Sequence, residues 1–242
     1  MDNASKQKLP EFKKGLEALD IVLNDDQINQ FIDYYDILIS WNKVMNLTSI
    51  TDFNEVIYKH FIDSLSIVKV FRPEKEKIID IRTGAGFPGI PIKIAFPNVK
   101  IVLMDSLNKR IQFLNEVISR LQLKNITAIH GRAEDYGRKP EYREVFDICT
   151  SRAVANLSTL SEYCIPFIKK CGLFIAYKSG NVEEELNKAT KAIKTLGGSV
   201  IEVNEFDLPS TDISRSLIKI EKIFETPGKY PRPAGKPAKE PL

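Results

Sequence analysis

The first third of the chain is patterned for helices. Leu16, Leu19, Ile21 and Leu23 open an apolar face, and Ile28, Phe31, Ile32, Tyr35, Leu38, Ile39 and Met45 continue it at helical spacing. Asn24 and Asp25 stand where a helix cap and an acid at the positive end of the helix dipole belong. The run WNKVMNLTSITD breaks into turn chemistry before another helical stretch over residues 55–70. These signals predict an N-terminal helical cap spanning residues 1–72.

After Pro73 the period changes to short apolar runs alternating with amphipathic segments. Residues 77–81 (KIIDI), 99–104 (VKIVLM), 126–130 (ITAIH), 145–149 (VFDIC) and 173–177 (LFIAY) read as buried strands. Residues 88–96, 107–121, 156–169 and 182–196 are the predicted helices between and after them. The alternation predicts an α/β fold over residues 73–225: a doubly wound, mostly parallel, Rossmann-like sheet with helices on both faces. Residues 199–206 and 214–224 are two successive β-like segments across DLPSTDI, which predicts an antiparallel hairpin at the sheet edge.

Composition narrows the class. The 242 residues are 43% hydrophobic and 28% charged, as expected of a soluble globular protein. No apolar run approaches the ~18 residues of a membrane span. The N-terminus, MDNASKQKLPEFKKG, is charged where a signal peptide is apolar, so a cytoplasmic location is expected. Cys149, Cys164 and Cys171 share no C-x-x-C spacing, and His60 and His130 are the only histidines, which argues against disulfides and metal sites. The net charge of +3 resides in residues 227–242, where Lys229, Arg232, Lys236 and Lys239 face Glu240 alone; the 31 basic and 31 acidic residues elsewhere cancel. Five of the thirteen prolines fall there too, predicting an extended, solvated tail with neither helix nor central strand, suited to phosphate.

The chemistry is expected at the carboxyl ends of the strands. Gly84, Gly86 and Gly89 form G-x-G-x-x-G after the first strand, a turn that serves dinucleotides and S-adenosyl cofactors alike. Asp105 ends the second strand, where an acid accepts from both ribose hydroxyls of an adenosine. After the third strand, Ala133 offers an amide and Glu134 a carboxylate to an adenine edge; after the fourth, Arg152 overlies the crevice. No Tyr-x-x-x-Lys pair, no Pro-Cys nucleophile and no Asn-Pro-Pro-aromatic run occurs, which speaks against short-chain oxidoreduction, pyrimidine C5 methylation and exocyclic amine methylation. Transfer to an atom that is already nucleophilic survives. Guanine N7, whose in-plane lone pair carries no proton, is such an atom, and attack there needs alignment more than a base.

Asp80 with TGAGFPGIP, then LMDSLNKRIQFL, GRAED, TSRAVA and Lys178-Ser179-Gly180, closely resembles the bacterial small-subunit rRNA guanine-N7 methyltransferases, the RsmG (GidB) family. Trp41-Asn42-Lys43, Asn46-Leu47-Thr48, His60, Asp63-Ser64-Leu65 and the tail ending KEPL extend the resemblance over residues 25–242. It implies the S-adenosylmethionine-dependent methyltransferase fold, with that cofactor in the crevice, and a guanine of 16S rRNA in the small ribosomal subunit as substrate; a monomer is the expected state. By position, Phe87, Ala133, Glu134 and Arg152 would contact or border the cofactor, over a loop made by Gly84 and Gly86; Asp80, Arg82 and Asp105 complete the candidate cofactor-binding set. Arg152 and Lys178 are the candidate catalytic residues, positioning RNA or offsetting charge, with no general base assigned. Arg82 departs from the family: it stands where the first glycine of Asp-x-Gly-Thr-Gly-x-Gly belongs. It brings a cation towards a sulfonium site, and at positive φ its Cβ would cost ~1–2 kcal/mol. Lys109, Arg110, Arg120, Lys124, Arg132 and Arg138 border the crevice and are the expected phosphate contacts, with Lys178 and the tail. Two alternatives stay open: a non-catalytic rRNA-binding assembly factor whose site Arg82 has spoiled, and a nicotinamide-dependent oxidoreductase built on the glycines and Asp105.

Overall fold

The structure, a computed structural model, describes residues 9–153 and 155–242; residues 1–8 of the predicted cap and Val154, inside the TSRAVA run, lie outside the described residues. Helices α1 (Leu9–Glu17) and α2 (Asp25–Met45) open the cap. Asn24 caps α2 as its residue type predicts: its side chain accepts from the Gln27 amide at 2.9 Å, and Gln27 returns the bond to the Asn24 amide at 3.0 Å. The second helical stretch comes in pieces: α3 (Phe53–Val56), a π turn (Ile57–Ile62), α4 (Asp63–Leu65) and a 3₁₀ turn (Ser66–Lys69). The π turn carries His60 and leads directly into Asp63.

Strand and helix then alternate as β1 (Lys77–Ile81), α5 (Gly89–Ala95), β2 (Lys100–Asp105), α6 (Asn108–Arg120), β3 (Ile126–His130), α7 (Ala133–Tyr136), β4 (Phe146–Ser151), α8 (Leu157–Cys164), β5 (Ile168–Ser179) and α9 (Glu183–Thr195). The hairpin is β6 (Gly198–Asp207) with β7 (Ser214–Lys222). The sheet order is β3-β2-β1-β4-β5-β7-β6, with the first five strands parallel and β7 antiparallel to both of its neighbours. The more buried strand, β7, takes the interior position; β6, which alternates between exposed and sheltered residues, forms the edge.

Two expectations are corrected. The helix predicted over residues 156–169 ends at Cys164, because Pro166 enters a 3₁₀ turn (Ile165–Phe167) and Ile168 already pairs with Phe146 as the start of β5. The tail expected to hold no helix forms one turn, α10 (Lys236–Lys239), with Pro237 at its start, where a missing amide costs nothing.

Alternate residues of the strands feed two cores. Ile78, Ile101, Leu103 and Ile148 join Phe12, Phe31, Leu38 and Phe61 of the cap in one cluster, so the cap shares its core with one sheet face. Ile79, Ile81, Cys149 and Phe174 join α8 and α9 in the other. Chain direction around the sheet reverses between β1 and β4, which opens a crevice beyond their carboxyl ends.

Candidate active site

The loop after β1 is organised from below and from the cap. Asp80 is fully buried, and its Oδ2 accepts from Thr83 Oγ1 at 2.6 Å and from the Gly89 amide at 3.0 Å. Burial pushes its carboxyl up to about 7, against the pull of those bonds. The Tyr34 hydroxyl of the cap donates to the Ala85 carbonyl. A Cβ on Gly86 would meet that hydroxyl at 2.9 Å and Ile90 at 2.5 Å, so this glycine, at φ +93°, lets loop, cap and helix meet. Asp80 and Gly86 thus hold the loop in shape and line none of the cavities above it.

Three cavities adjoin along the strand ends. The first, of about 270 Å³, lies beyond β1, β2 and β3 and is lined by Arg82, Asp105, Ala133, Glu134, Tyr163 and the tail residue Gly235, among others. The second, of about 410 Å³, shares Arg82 with it and adds Thr48, His60, Gly84, Phe87, Arg110 and Arg152. The third, of about 670 Å³, shares His60 and Arg152 with the second and reaches Lys178 and Arg215.

Asp105 is anchored before any ligand arrives. Its Oδ2 accepts from the Gly84 amide at 3.0 Å and from Arg110 at 3.1 Å, and its Oδ1 from the Leu107 amide at 3.0 Å. Arg110, expected to face phosphate, is therefore spent largely on Asp105. Glu134 accepts from the Gly235 amide at 2.9 Å. The tail expected to be solvated is docked here: Arg232 pairs with buried Glu162, and Arg143 holds the Tyr230 carbonyl at 2.8 Å.

The second cavity is walled by the cap. Asn42 accepts from the Thr48 amide and donates to its carbonyl, both at 2.9 Å, fixing the loop after α2. Thr48 Oγ1 lies 2.9 Å from His60 Nε2, and Arg152 Nη2 lies 3.0 Å from His60 Nδ1. Nδ1 also lies 3.0 Å from the Lys59 carbonyl, so both ring nitrogens are engaged by neighbours. The ring is neutral, its pKa pushed down to about 3 by burial and by the Arg152 charge. His60 stacks on Phe87 at 4.4 Å, and Arg152 lies over the same phenyl ring at 4.9 Å. Asp63, 3% exposed, takes Arg152 on one oxygen at 2.9 Å and Arg215 on the other at 3.0 Å.

Arg82 sits at φ +61°, exposed, with its guanidinium 5.9 Å from the Tyr163 ring centroid. Arg110 and Arg152 have acid partners; among the described residues Arg82 has none. Lys178, by contrast, lies only on the third cavity, where its ammonium donates to the Ala155 carbonyl and to Glu185, both at 2.6 Å. Of the other expected phosphate contacts, Arg120 pairs with Glu116 and Arg138 reaches the Lys229 carbonyl, while Lys109 and Arg132 line cavities flanking Asp105. Arg215, Tyr163, Glu162 and Gly235 carry no local sequence signal, and Arg232, read as a phosphate contact, pairs with Glu162 instead; only the fold brings them to the crevice.

Residues 27–218 match the protein family described as GidB, rRNA small subunit methyltransferase G. The chain belongs to this family. A Ribosomal RNA small subunit methyltransferase G from Lachnoclostridium phytofermentans is 56% identical over 232 residues, 96% of each chain; one from Acetivibrio thermocellus is 52% identical over 229 residues, covering 95% of this chain and 94% of that one. The family match runs from within α2 into β7 and takes in the crevice walls contributed by both cap and sheet. Solved structures share the fold. NSun6 from Pyrococcus horikoshii, with SFG, superposes at a TM-score of 0.56 with 15% identity, over 74% of this chain and 57% of that one. M. jannaschii TYW2, in complex with AdoMet, superposes at 0.51 with 17% identity, over 63% and 72%.

Proposed function

We propose that this chain transfers a methyl group from S-adenosylmethionine to N7 of a guanine in 16S rRNA of the small ribosomal subunit, as a cytoplasmic monomer. The observation that carries the reading is the pair of cavities joined at Arg82. The first offers two nearly buried carboxylates, Asp105 and Glu134, on either side of an adenosine-sized space, suited to ribose hydroxyls and an adenine amine. The second begins at the glycine loop and is closed on its far side by an aromatic and cationic wall. The donor set fits the cofactor. Arg82, lacking an acid partner, suits the carboxylate of its amino-acid end.

When bound, the cofactor would supply a sulfonium-borne methyl group electrophilic enough for direct displacement. The chain's own residues orient and exclude water. Phe87 and His60, stacked on each other and nearly buried, give the second cavity a flat, rigid aromatic wall beside the loop. Neutral His60 takes no proton from the reaction; with its Nδ1 occupied by Arg152 and its Nε2 by Thr48, it stiffens the wall. Arg152, held by Asp63 and the Lys59 carbonyl, borders both the second and third cavities and positions the RNA. Lys178 is assigned to the RNA side only.

Labelled S-adenosylmethionine offered with deproteinised 16S rRNA, and separately with 30S particles, tests the reading. The label should appear as N7-methylguanosine after nuclease digestion of one of the two substrates. Label in another nucleoside, or none in either while the cofactor binds, would overturn it.

A further inference from the structure

The tail reaches the cofactor cavity itself. Gly235 and Ala238 line the first cavity alongside Glu134 and Tyr163. The Gly235 amide donates to Glu134 Oε1 at 2.9 Å, leaving Oε2 without a partner among the described residues. Gly235 is at φ +83° with open space around the position of a Cβ, so the backbone there is shaped to deliver an amide.

The segment is fixed on both sides of that amide. Upstream, the Arg232 amide, Nε and Nη2 all donate to the Glu162 carboxylate, at 2.6 to 3.1 Å, and Glu162 on α8 is 1% exposed. Arg232 Nη2 also donates to the Glu240 carbonyl at 2.8 Å, closing the segment on itself. Downstream, buried Thr159 donates to the Pro237 carbonyl at 3.0 Å. A two-pronged, charge-assisted pair on a buried acid is the geometry of a latch.

We infer that the segment from Arg232 to Glu240 is a working part of the cofactor site: latched through Glu162, it closes the adenine end of the cavity and presets Glu134 to read the exocyclic amine. The inference rests on the adenosine reading of that cavity. Arg232, Glu162 and Gly235 act through Glu134 and are positioning residues. A carboxylate held in place accepts from an amine and repels a carbonyl oxygen, so the segment is also a device for choosing adenine over hypoxanthine.

Calorimetric titration of S-adenosylhomocysteine and S-inosylhomocysteine into the full chain, Arg232→Ala and Thr159→Val tests it. The parent should favour the adenosyl ligand strongly. Arg232→Ala should bind that ligand about tenfold more weakly, while its affinity for the inosyl ligand changes little, so that the preference collapses. Thr159→Val, which keeps shape and loses only the bond to Pro237, should lower the adenosyl affinity by less and again leave the inosyl affinity nearly unchanged, and it carries the test if Arg232→Ala fails to fold. Equal weakening of both ligands would reduce the latch to a structural brace, and parental affinities in both variants would remove it altogether. A parent that binds neither ligand would instead overturn the adenosine reading underneath.

Discussion

At the scale of single residues, Arg82 is the position where this chain sets local cost against function. Its φ of +61° meets the condition under which a side chain is strained, at about 1 kcal/mol, and the guanidinium over Tyr163 returns part of that at most. We expect Arg82→Gly to raise unfolding stability by roughly 0.5–1 kcal/mol in urea titrations. The electrostatic consequence separates from the steric one by choice of ligand. S-adenosylmethionine carries one more positive charge than S-adenosylhomocysteine, and an unneutralised guanidinium at a solvated mouth opposes it by about 1 kcal/mol. Arg82→Gly should therefore weaken S-adenosylhomocysteine, which loses only the carboxylate pairing, several-fold more than S-adenosylmethionine, which also sheds the repulsion. Equal changes for the two ligands would mean that Arg82 does not sense the sulfonium, and that its pairing with the common carboxylate dominates.

Elements were legible wherever burial imposes a short apolar run. KIIDI gave β1 to the residue, and the cap of α2 was readable because Asn24 and Gln27 satisfy each other locally. IPFIKKCG was misread because its apolar start continues a helical pattern, while the strand's partner, Phe146, lies far back in the chain. The tail was misread for the same reason: its prolines advertise extension, but Glu162, Thr159 and Glu134, which hold it, are 70 to 101 residues away. Strand ends told where the crevice lies; distant pairings determined what walls it. The loop after α2 is an intermediate case, since Asn42 and Thr48 are only six residues apart. Asn42→Ala removes both bonds to Thr48 and, through Thr48, the partner of His60 Nε2. Stability should drop by about 1–2 kcal/mol, and the KM for RNA should rise while S-adenosylhomocysteine affinity stays within twofold or so, because the loop borders the second cavity and not the first. Cofactor affinity that falls along with RNA affinity would place the loop's influence elsewhere.

For the whole molecule, the join between cap and sheet carries the titratable groups that set its response to pH. Below 6.5 the unfolded chain protonates His60 while the folded one resists until about 3, so this group removes stability as pH falls through that window, by about 1.4 kcal/mol per unit. Asp80 acts oppositely: folded, it keeps its proton to about 7, whereas unfolded it loses it near 3.8, so stability declines as pH rises between those values. The two slopes oppose each other from about pH 4 to 6.5, and His60→Gln should leave Asp80 uncovered, giving a variant whose stability relative to the parent improves as pH is lowered across that range. The same join depends on Asp63, which neutralises Arg152 at the end of β4 and Arg215 on β7 from a position in the cap. Asp63→Asn would leave two sheltered guanidiniums without a countercharge, and we expect a loss of about 3 kcal/mol in urea titrations. Because Arg152 would also lose its fixed orientation, kcat for methyl transfer should fall more than RNA binding. Removing one of the stranded charges as well, in Asp63→Asn with Arg215→Gln, should recover part of the stability but not the rate, since Arg152 still lacks its anchor. A double variant that regains both would show that Asp63 holds the cap to the sheet and leaves the reaction untouched.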